Sequence, residues 1–451
     1  MREFLQSVAL RAACYLEQAP HRGVAPSPDA VRGLDAFVEP FPAAPTAPDD
    51  VLRLLDESGS PATVGMAGPR YFGFVIGGSL PAALGANWLA SAWDQNPGLF
   101  VASPVATVLE EVALAWLTDA LGLPAGCGAG FVTGATVANF TALAAARHAV
   151  LARAGWDVEG QGLFGAPPVQ VVVGEEGHPS LFKALGMLGL GRERVVRVPV
   201  DGQGRMRADR LPDLRGPAIL CVQAGNVNTG AFDPAHEIVP RARAMGAWVH
   251  VDGAFGLWAA ASPRYRHLLA GFAEADSWAT DAHKWLNVPY DSGLALVRDP
   301  EDLRAAMSIT AAYLPQGEHR EPSQFVPELS RRARGVDIWA ALKSLGRDGL
   351  AEMIERNCRC AARFAEALAK AGFEILNEVV LNQVLVAFGS PEETARVIEG
   401  VQQDGTCWCG GTVWQGRHAM RISVSNWSTT EADVDRSVEA IVRVARYTEG
   451  C

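Results

Sequence analysis

The chain has 451 residues, of which 49% are hydrophobic and 20% are charged, and its formal net charge is −11. This length exceeds the size of a single hydrophobic core, and the composition is that of a globular protein, so we expect two or three folded units. The acidic balance, without a run of lysine or arginine, argues against nucleic acid as a partner.

The first 60 residues predict a helical arm. Apolar residues recur at helical spacing over residues 4–18, and a proline-rich linker follows over residues 40–48. Charged residues from Arg2 to Glu17 interrupt any apolar stretch that would act as a signal peptide. We therefore expect a cytoplasmic protein whose arm packs on a second subunit.

Residues 71–93 contain no charged side chain, and a stretch of this length is long enough to span a bilayer. Pro81, Asn87 and several glycines interrupt it, however. These residues favour a buried or subunit-interface segment, and we expect no membrane partner.

From about residue 105 the pattern becomes one of short apolar strands that alternate with helices. Strands that are covered on both faces are apolar throughout, and their alternation with helices such as 136–154 and 234–245 predicts a mostly parallel, doubly wound α/β sheet. The predicted strands are 130–133, 169–173, 195–200, 218–223, 248–252, 277–280 and 293–297.

The last third of the chain has a different pattern, which predicts a smaller α+β unit. Its predicted elements are helices over 337–346, 350–370 and 430–446 and strands near 382–388 and 419–425. The predicted division of the chain is an N-terminal arm (1–60), a large domain (61–305) and a small C-terminal domain (306–451).

The eight cysteines include two C-x-C pairs, Cys358/Cys360 and Cys407/Cys409. Neither pair has a partner pair at zinc-finger spacing. Reduced thiols in a cytosolic protein explain both pairs better than a metal site does, so we predict no metal.

Ligands of doubly wound sheets gather beyond the carboxyl ends of the strands, and a glycine-rich turn follows the first predicted strand. Here Gly134, Ala135 and Thr136 begin a long helix. Free N–H groups and the helix dipole suit a phosphate, and the hydroxyl of Thr136 adds a donor. Taken alone, this turn is better explained as an ordinary helix N-terminus, because it has neither dinucleotide-binding nor P-loop spacing.

Three more features follow strand ends. His178 comes after strand 169–173, Asp252 closes strand 248–252, and Lys284 follows strand 277–280. A buried carboxylate such as Asp252 needs a cation, the small Ala254 beside it admits a flat ring, and a desolvated lysine suits attack on a carbonyl. Singly, the histidine would be a capping residue and the lysine a surface residue.

Together these features match the requirements of pyridoxal 5′-phosphate (PLP). Its phosphate needs a helix N-terminus, its ring nitrogen a carboxylate and its aldehyde a lysine. The four strand ends would supply all of these groups at one edge of one sheet.

These motifs resemble the group II pyridoxal-dependent amino-acid decarboxylases, the family of aromatic amino-acid and glutamate decarboxylases. The most specific part is Asp252-Gly-Ala254, followed 31 residues later by His283-Lys284-Trp285. The resemblance implies PLP-dependent transferase fold type I and a homodimer with active sites at the subunit interface. It runs from about residue 71 to 349 and also includes Ala102-Ser-Pro104, Gly134 to Asn139, His178, Ala224-Gly225, Arg331-Arg332 and Trp339.

The resemblance also implies roles for single residues. Lys284 would be the Schiff-base lysine, and Asp252 the partner of the pyridine nitrogen. His178 would stack on one face of the ring, with Ala254 against the other, and Asn226 would lie near the ring hydroxyl. The residues that would hold the phosphate are Gly134, Ala135, Thr136, His283 and Ser277.

The chain departs from the family in the loop after the lysine. Relatives carry a tyrosine there that helps to protonate Cα, whereas residues 314–330 contain none, and Pro322 stands near the expected place. His319, His178 or Lys284 would have to donate the proton instead. Alternatively, the carbanion left at Cα reacts with O2 and gives an aldehyde.

A second departure is Asp281, where many relatives have asparagine. Two anions repel each other, and we therefore expect Asp281 to point away from the phosphate.

The predicted function is decarboxylation of an L-amino acid to an amine and CO2. Residues 71–100 are rich in phenylalanine, tryptophan and glycine and lack lysine and arginine, which favours an apolar or aromatic substrate over glutamate. The alternatives are an aldehyde synthase, an aldolase-type lyase or an aminotransferase on the same scaffold, and a PLP-binding protein without activity.

Overall fold

The computed structural model of the chain describes residues 1–309 and 319–448. Its helices are α1 (Arg2–Gln18), α2 (Pro28–Arg32), α3 (Pro48–Leu54), α4 (Ser60–Ala62), α5 (Pro81–Trp93), α6 (Pro104–Ala120), α7 (Ala135–Arg153), α8 (Val158–Gln161), α9 (Pro179–Met187), α10 (Ala235–Ala244), α11 (Pro300–Met307), α12 (Arg334–Lys370), α13 (Pro391–Asp404) and α14 (Glu431–Thr448). Its strands are β1 (Gly128–Val132), β2 (Gln170–Gly174), β3 (Val196–Val198), β4 (Ala218–Gln223), β5 (Trp248–Asp252), β6 (Ser277–Asp281), β7 (Gly293–Val297), β8 (Glu374–Ile375), β9 (Gln383–Ala387), β10 (Gly410–Trp414) and β11 (Arg417–Ser423).

The chain divides into two compact units that are built from separated segments. One unit comprises Ser79–Cys358 and Asn377–Gln383, and the other comprises Met1–Gly78, Arg359–Leu376 and Val384–Cys451. These two units do not test the predicted division into an arm (1–60), a large domain (61–305) and a small domain (306–451). That division stays a prediction.

The larger unit contains a seven-stranded sheet in the order β1-β7-β6-β5-β4-β2-β3. β7 pairs antiparallel with both neighbours, and the remaining pairs are parallel, so six strands run in one direction. The predicted mostly parallel sheet is therefore confirmed. All seven predicted strands are present, and β4, β5 and β7 have the predicted bounds.

The core of this unit lies between the sheet and α7. Twelve of the nineteen residues of α7 are buried, and a run of alanines along it lets the helix approach the sheet closely. Because α7 begins directly after β1, this packing fixes the position of its N-terminus at one edge of the sheet.

The smaller unit contains a four-stranded sheet in the order β10-β11-β9-β8. The predicted helices 337–346 and 350–370 form one element, α12, that is interrupted at Gly346, where φ is 59°. β10 was not predicted, because this strand begins with two glycines, exposes two of its five residues and lacks an apolar run.

The uncharged segment 71–93 does not form one long helix, since α5 has only 13 residues. No helix in residues 1–309 and 319–448 has the length and apolar character needed to cross a bilayer. In the larger unit, α5 leaves Trp88, Leu89 and Trp93 more than 40% exposed.

The N-terminal arm is helical, as predicted, but it buries little. α1, α2, α3 and α4 contain no buried residue. Leu5 and Leu10 of α1 are 54% and 66% exposed, and Phe41 is 98% exposed.

Candidate active site

The carboxyl ends of the parallel strands lie along one edge of the seven-stranded sheet, and the predicted site residues follow several of them. β1 leads to Gly134, β2 to His178 and β6 to Lys284, while Asp252 is the last residue of β5. After β5, the backbone stays beside β6: Gly253 N donates to the carbonyl oxygen of Ala279 at 2.9 Å. The sheet therefore brings these side chains to one edge, as the sequence predicted.

The turn between β1 and α7 is closely packed. Gly293 of β7 lies against Gly134, and a Cβ atom at position 293 would lie 2.5 Å from Cα of Gly134. A Cβ atom at 134 would in turn lie 3.0 Å from Cε1 of His283. The absence of a side chain at position 293 allows this approach, which places the N-terminus of α7 beside the His283 ring.

His283 has a defined hydrogen-bonding arrangement. Its Nδ1 accepts from Ser292 N at 3.0 Å, so a neutral ring carries its proton on Nε2. Burial lowers the pKa of His283, which favours the neutral ring, although the carboxylate of Asp281 opposes this effect. The Nε2–H group lies 3.4 Å from Oδ1 of Asp281 and beside the N-terminus of α7, where it can donate to a phosphate.

Asp281 lies inside this cradle, so the prediction that it points elsewhere is wrong. Its Oδ1 accepts from Ala135 N at 2.6 Å, and its Oδ2 lies 3.0 Å from Nζ of Lys284. The positive end of α7 and the Lys284 ammonium together attract the carboxylate. That attraction outweighs the expectation drawn from repulsion by a phosphate.

Asp252 and His178 line a common cavity. Asp252 is 5% exposed, and burial raises the pKa of its carboxyl group, whereas the charges of His178 and Lys284 lower it. His178 is the N-cap of α9, and its Nδ1 lies 2.7 Å from Oγ of Ser180. His178 is thus both a capping residue and a wall of the cavity that contains Asp252.

Two further predicted contacts lie next to this edge. The backbone oxygen of Ala254 accepts from Asp281 N at 2.9 Å, which holds Ala254 beside the end of β6. Asn226 is buried in a turn: its Oδ1 accepts from Asn228 N at 2.8 Å, and its Nδ2 donates to Glu176 at 3.2 Å. The contact of Asn226 with the ring hydroxyl stays a prediction.

Ser277 is not brought to the phosphate cradle. It is the first residue of β6, whereas Asp281 is the last, and four residues of extended chain correspond to about 13 Å. Its hydroxyl instead contacts Trp248 and His250 in the core. Ser277 therefore lies at the opposite end of β6 from the one that a phosphate contact requires.

The residues present fit PLP. Ala135 N and His283 Nε2–H both face Oδ1 of Asp281 at the N-terminus of α7, and the Lys284 amine lies against the other oxygen of the same carboxylate, so three donors suited to an anion lie together. Asp252 is a carboxylate that is only 5% exposed, and a buried carboxylate is stabilised by a cation such as a protonated ring nitrogen. A PLP site needs a phosphate cradle, a lysine and a carboxylate, and this edge provides all three.

Comparison with known proteins agrees with this geometry. The model of the pyridoxal-dependent decarboxylase conserved domain matches residues 42–389. The chain belongs to this family. The cofactor is therefore PLP, and the predicted fold type I and carboxy-lyase class are confirmed.

Individual relatives differ in substrate. Tryptophan decarboxylase 1 of Oryza sativa subsp. japonica is 28% identical over 443 residues, covering 89% of this chain and 85% of its own. L-2,4-diaminobutyrate decarboxylase of Rhizobium meliloti (strain 1021) is 30% identical over 443 residues, covering 93% and 86%. The crystal structure of Oryza sativa TDC with PLP and tryptamine has a TM-score of 0.91 at 24% identity, covering 99% and 97%.

The segment that follows the lysine is partly described. Residues 314–318 lie outside the described residues, whereas His319 stacks on Phe100 with 3.8 Å between ring centroids. The next residue, Arg320, donates to the buried Glu110 at 3.0 Å, and Arg331 lies 2.7 Å from the other oxygen of Glu110. These buried ion pairs fix both ends of residues 320–331 on the larger unit.

We expect Asp281→Asn to strengthen PLP binding by about tenfold or more, because it removes an anion from the phosphate cradle and releases Lys284 from its ion pair. Spectroscopic titration of the cofactor-free protein with PLP measures this affinity. Asp213→Asn, which removes the same charge at an exposed site of the same unit, is the control. Weaker binding by Asp281→Asn would mean that the carboxylate helps to hold the cofactor.

Proposed function

We propose that this family member decarboxylates an L-amino acid with an apolar or aromatic side chain to the amine and CO2. The observation that carries the proposal is the convergence of Lys284, Asp252 and the N-terminus of α7 at one edge of the sheet. The experiment that tests it is a panel of amino acids, with amine, aldehyde and keto acid identified by mass spectrometry.

Each residue would have a separate task in this reaction. Bound PLP supplies an electron sink for the electron pair that remains at Cα of the substrate when CO2 leaves. Lys284 would hold the cofactor aldehyde and exchange it for the substrate amine. Asp252 would keep the ring nitrogen protonated, and His178 would cover one face of the ring. Ala135, Thr136 and His283 would anchor the phosphate.

The substrate class is proposed from two lines of support. Residues 71–100 contain no lysine or arginine that would pair with an acidic side chain. The relative from Oryza sativa subsp. japonica that is 28% identical is a tryptophan decarboxylase by name. A 30% identical relative is named for the cationic diaminobutyrate, so the substrate panel includes basic amino acids as a direct challenge.

We also propose a cytoplasmic homodimer. Within the smaller unit, α1 buries none of its residues, and within the larger unit α5 exposes two tryptophans and a leucine. Apolar surface of this kind is usually covered by a partner. Light scattering should therefore give the mass of two chains, and a fully active monomer would contradict the proposal.

The absence of a tyrosine from residues 314–330, the stretch that corresponds to the family's tyrosine loop, predicts a side reaction. Slow protonation at Cα gives O2 time to react there, so we expect mainly amine with a detectable fraction of aldehyde in air. If His319 donates the proton, His319→Ala should raise the ratio of aldehyde to amine in air but not under argon. The measurement is that ratio for both proteins under both atmospheres.

The outcomes of this experiment separate the alternatives. His267→Ala removes an exposed histidine that bonds its own turn, and it serves as the matched control. Absence of aldehyde in both proteins would show that another group protonates Cα efficiently, and the decarboxylase proposal would survive. Aldehyde as the main product of the wild type in air would favour an oxidative aldehyde synthase instead.

A further inference from the structure

A chain of hydrogen bonds runs from the end of β5 into the core of the larger unit. Oδ2 of Asp252 accepts from Nδ2 of Asn139 at 3.4 Å. Oδ1 of Asn139 lies 2.8 Å from Nε2 of His250, and Nδ1 of His250 lies 2.9 Å from Oγ of Ser277. That same oxygen accepts from Nε1 of Trp248 at 2.8 Å.

Every member of this chain is buried, since none is more than 5% exposed. The residues come from three elements, α7, β5 and β6, and they span 139 positions of sequence from Asn139 to Ser277. Buried polar groups that water does not reach depend on such partners, so the loss of one link leaves its neighbours unsatisfied.

In this chain of hydrogen bonds, the donors and acceptors can be assigned in one consistent way. The indole of Trp248 can only donate, and an ionised Asp252 can only accept. Asn139 therefore turns its amide nitrogen to Asp252 and its oxygen to His250, whose Nε2 must carry a proton. Burial lowers the pKa of His250 to about 3, so its ring is neutral and its Nδ1 accepts from the Ser277 hydroxyl.

Hydrogen bonds that point in one direction polarise one another, and here each donor points towards the carboxylate. Burial raises the pKa of Asp252, and the hydrogen bond from Asn139 lowers it. The hydrogen-bonded chain therefore stabilises the negative charge of Asp252 and opposes the effect of burial. Three other charged groups act on Asp252: His178 and Lys284 favour its negative charge, and Asp281 opposes it. The buried thiol of Cys221 also lies near this carboxylate.

We infer that Asn139, His250 and Ser277 are positioning residues that keep Asp252 ionised and oriented towards the ring nitrogen of PLP. The inference rests on the proposed role of Asp252. It gives the buried Ser277 a function at the ring end of the cofactor instead of the phosphate end. A proton shared between Asp252 and the ring nitrogen stays on the nitrogen as long as the chain is intact.

The test uses holoenzyme loaded with PLP that carries 15N at the ring nitrogen. In Asn139→Leu, the 15N resonance should move towards that of the unprotonated ring. The apparent pKa of the ring nitrogen should fall by about one unit or more, the scale of one hydrogen bond to a charged group. Ser277→Ala, which breaks the chain two links away, should give a smaller shift in the same direction.

Thr141→Val is the matched control. Thr141 lies on the same helix, is fully buried, and its hydroxyl has no hydrogen-bond partner among the described residues. This variant should keep the wild-type resonance, and its melting temperature reports the effect of a buried substitution in α7.

Wild-type resonance positions in folded, PLP-loaded Asn139→Leu and Ser277→Ala would overturn the inference, even if both variants were less stable. If Asn139→Leu does not fold, the milder Ser277→Ala decides alone. A wild-type protein without a borohydride-trapped adduct at Lys284 would overturn the proposed function, and this inference with it.

Discussion

Replacing Lys284 with alanine is expected to abolish the borohydride-stable PLP adduct and to reduce turnover by about a thousandfold or more, the scale of losing a covalent or proton-transferring group. Lys284 is the lysine whose amine reaches the phosphate cradle, through its contact with Asp281 at 3.0 Å. Peptide mapping by mass spectrometry after reduction locates the adduct, and the near-visible absorbance of the wild type should be lost in the variant.

The exposed Lys183 of α9 and Lys343 of α12 offer controls for this experiment. Lys183→Ala and Lys343→Ala should retain the adduct and the colour of the wild type. An adduct that maps to either of these lysines would show that the candidate site is wrongly placed.

The second large effect is expected for Asp252→Asn, which should lower turnover by about a hundredfold or more, the scale of one lost electrostatic contact to a developing charge. The cofactor should remain bound, because the proposed phosphate contacts at α7 and the proposed bond to Lys284 would be unchanged. An uncharged amide cannot keep the ring nitrogen protonated, so the loss falls on the step in which charge develops at Cα.

This prediction is measured as the rate per bound PLP, with PLP content determined separately. Asp337→Asn is the matched control, since Asp337 is also a buried carboxylate whose pKa burial raises, to about 6, and it pairs with Asn87 on α5. Near-wild-type rates in PLP-loaded Asp252→Asn would remove Asp252 from the site.

The sequence predicts the larger unit well because its signals are local. Short apolar runs such as β4 are typical of strands that are covered on both faces, and the structure reproduces the predicted bounds of β4 and β5. The positions of Lys284, Asp252 and His178 at one edge of the sheet could be predicted from the strands that they follow or end. A strand such as β10, with two glycines and half of its surface exposed, carries no comparable signal.

The roles of side chains that depend on distant partners could not be predicted in this way. Asn139 contacts His250 across 111 positions of sequence, and neither residue has a local pattern that reveals the contact. One signal was available: His250 stands two residues before Asp252, so both point to the same face of β5. The position of Asp281 was predicted wrongly, because repulsion by a phosphate is only one of the forces on its carboxylate. The N-terminus of α7 attracts the same carboxylate, and this contact is not visible in the sequence.

The exposure of α1 has a consequence for the resistance of the protein to proteases at low concentration. A helix of 17 residues that buries none of its own side chains gains little stability from within one chain. In the proposed homodimer, contacts with the partner would stabilise this helix, and association depends on concentration. A chain made in small amounts would expose the arm to proteases, whereas an abundant one would protect it.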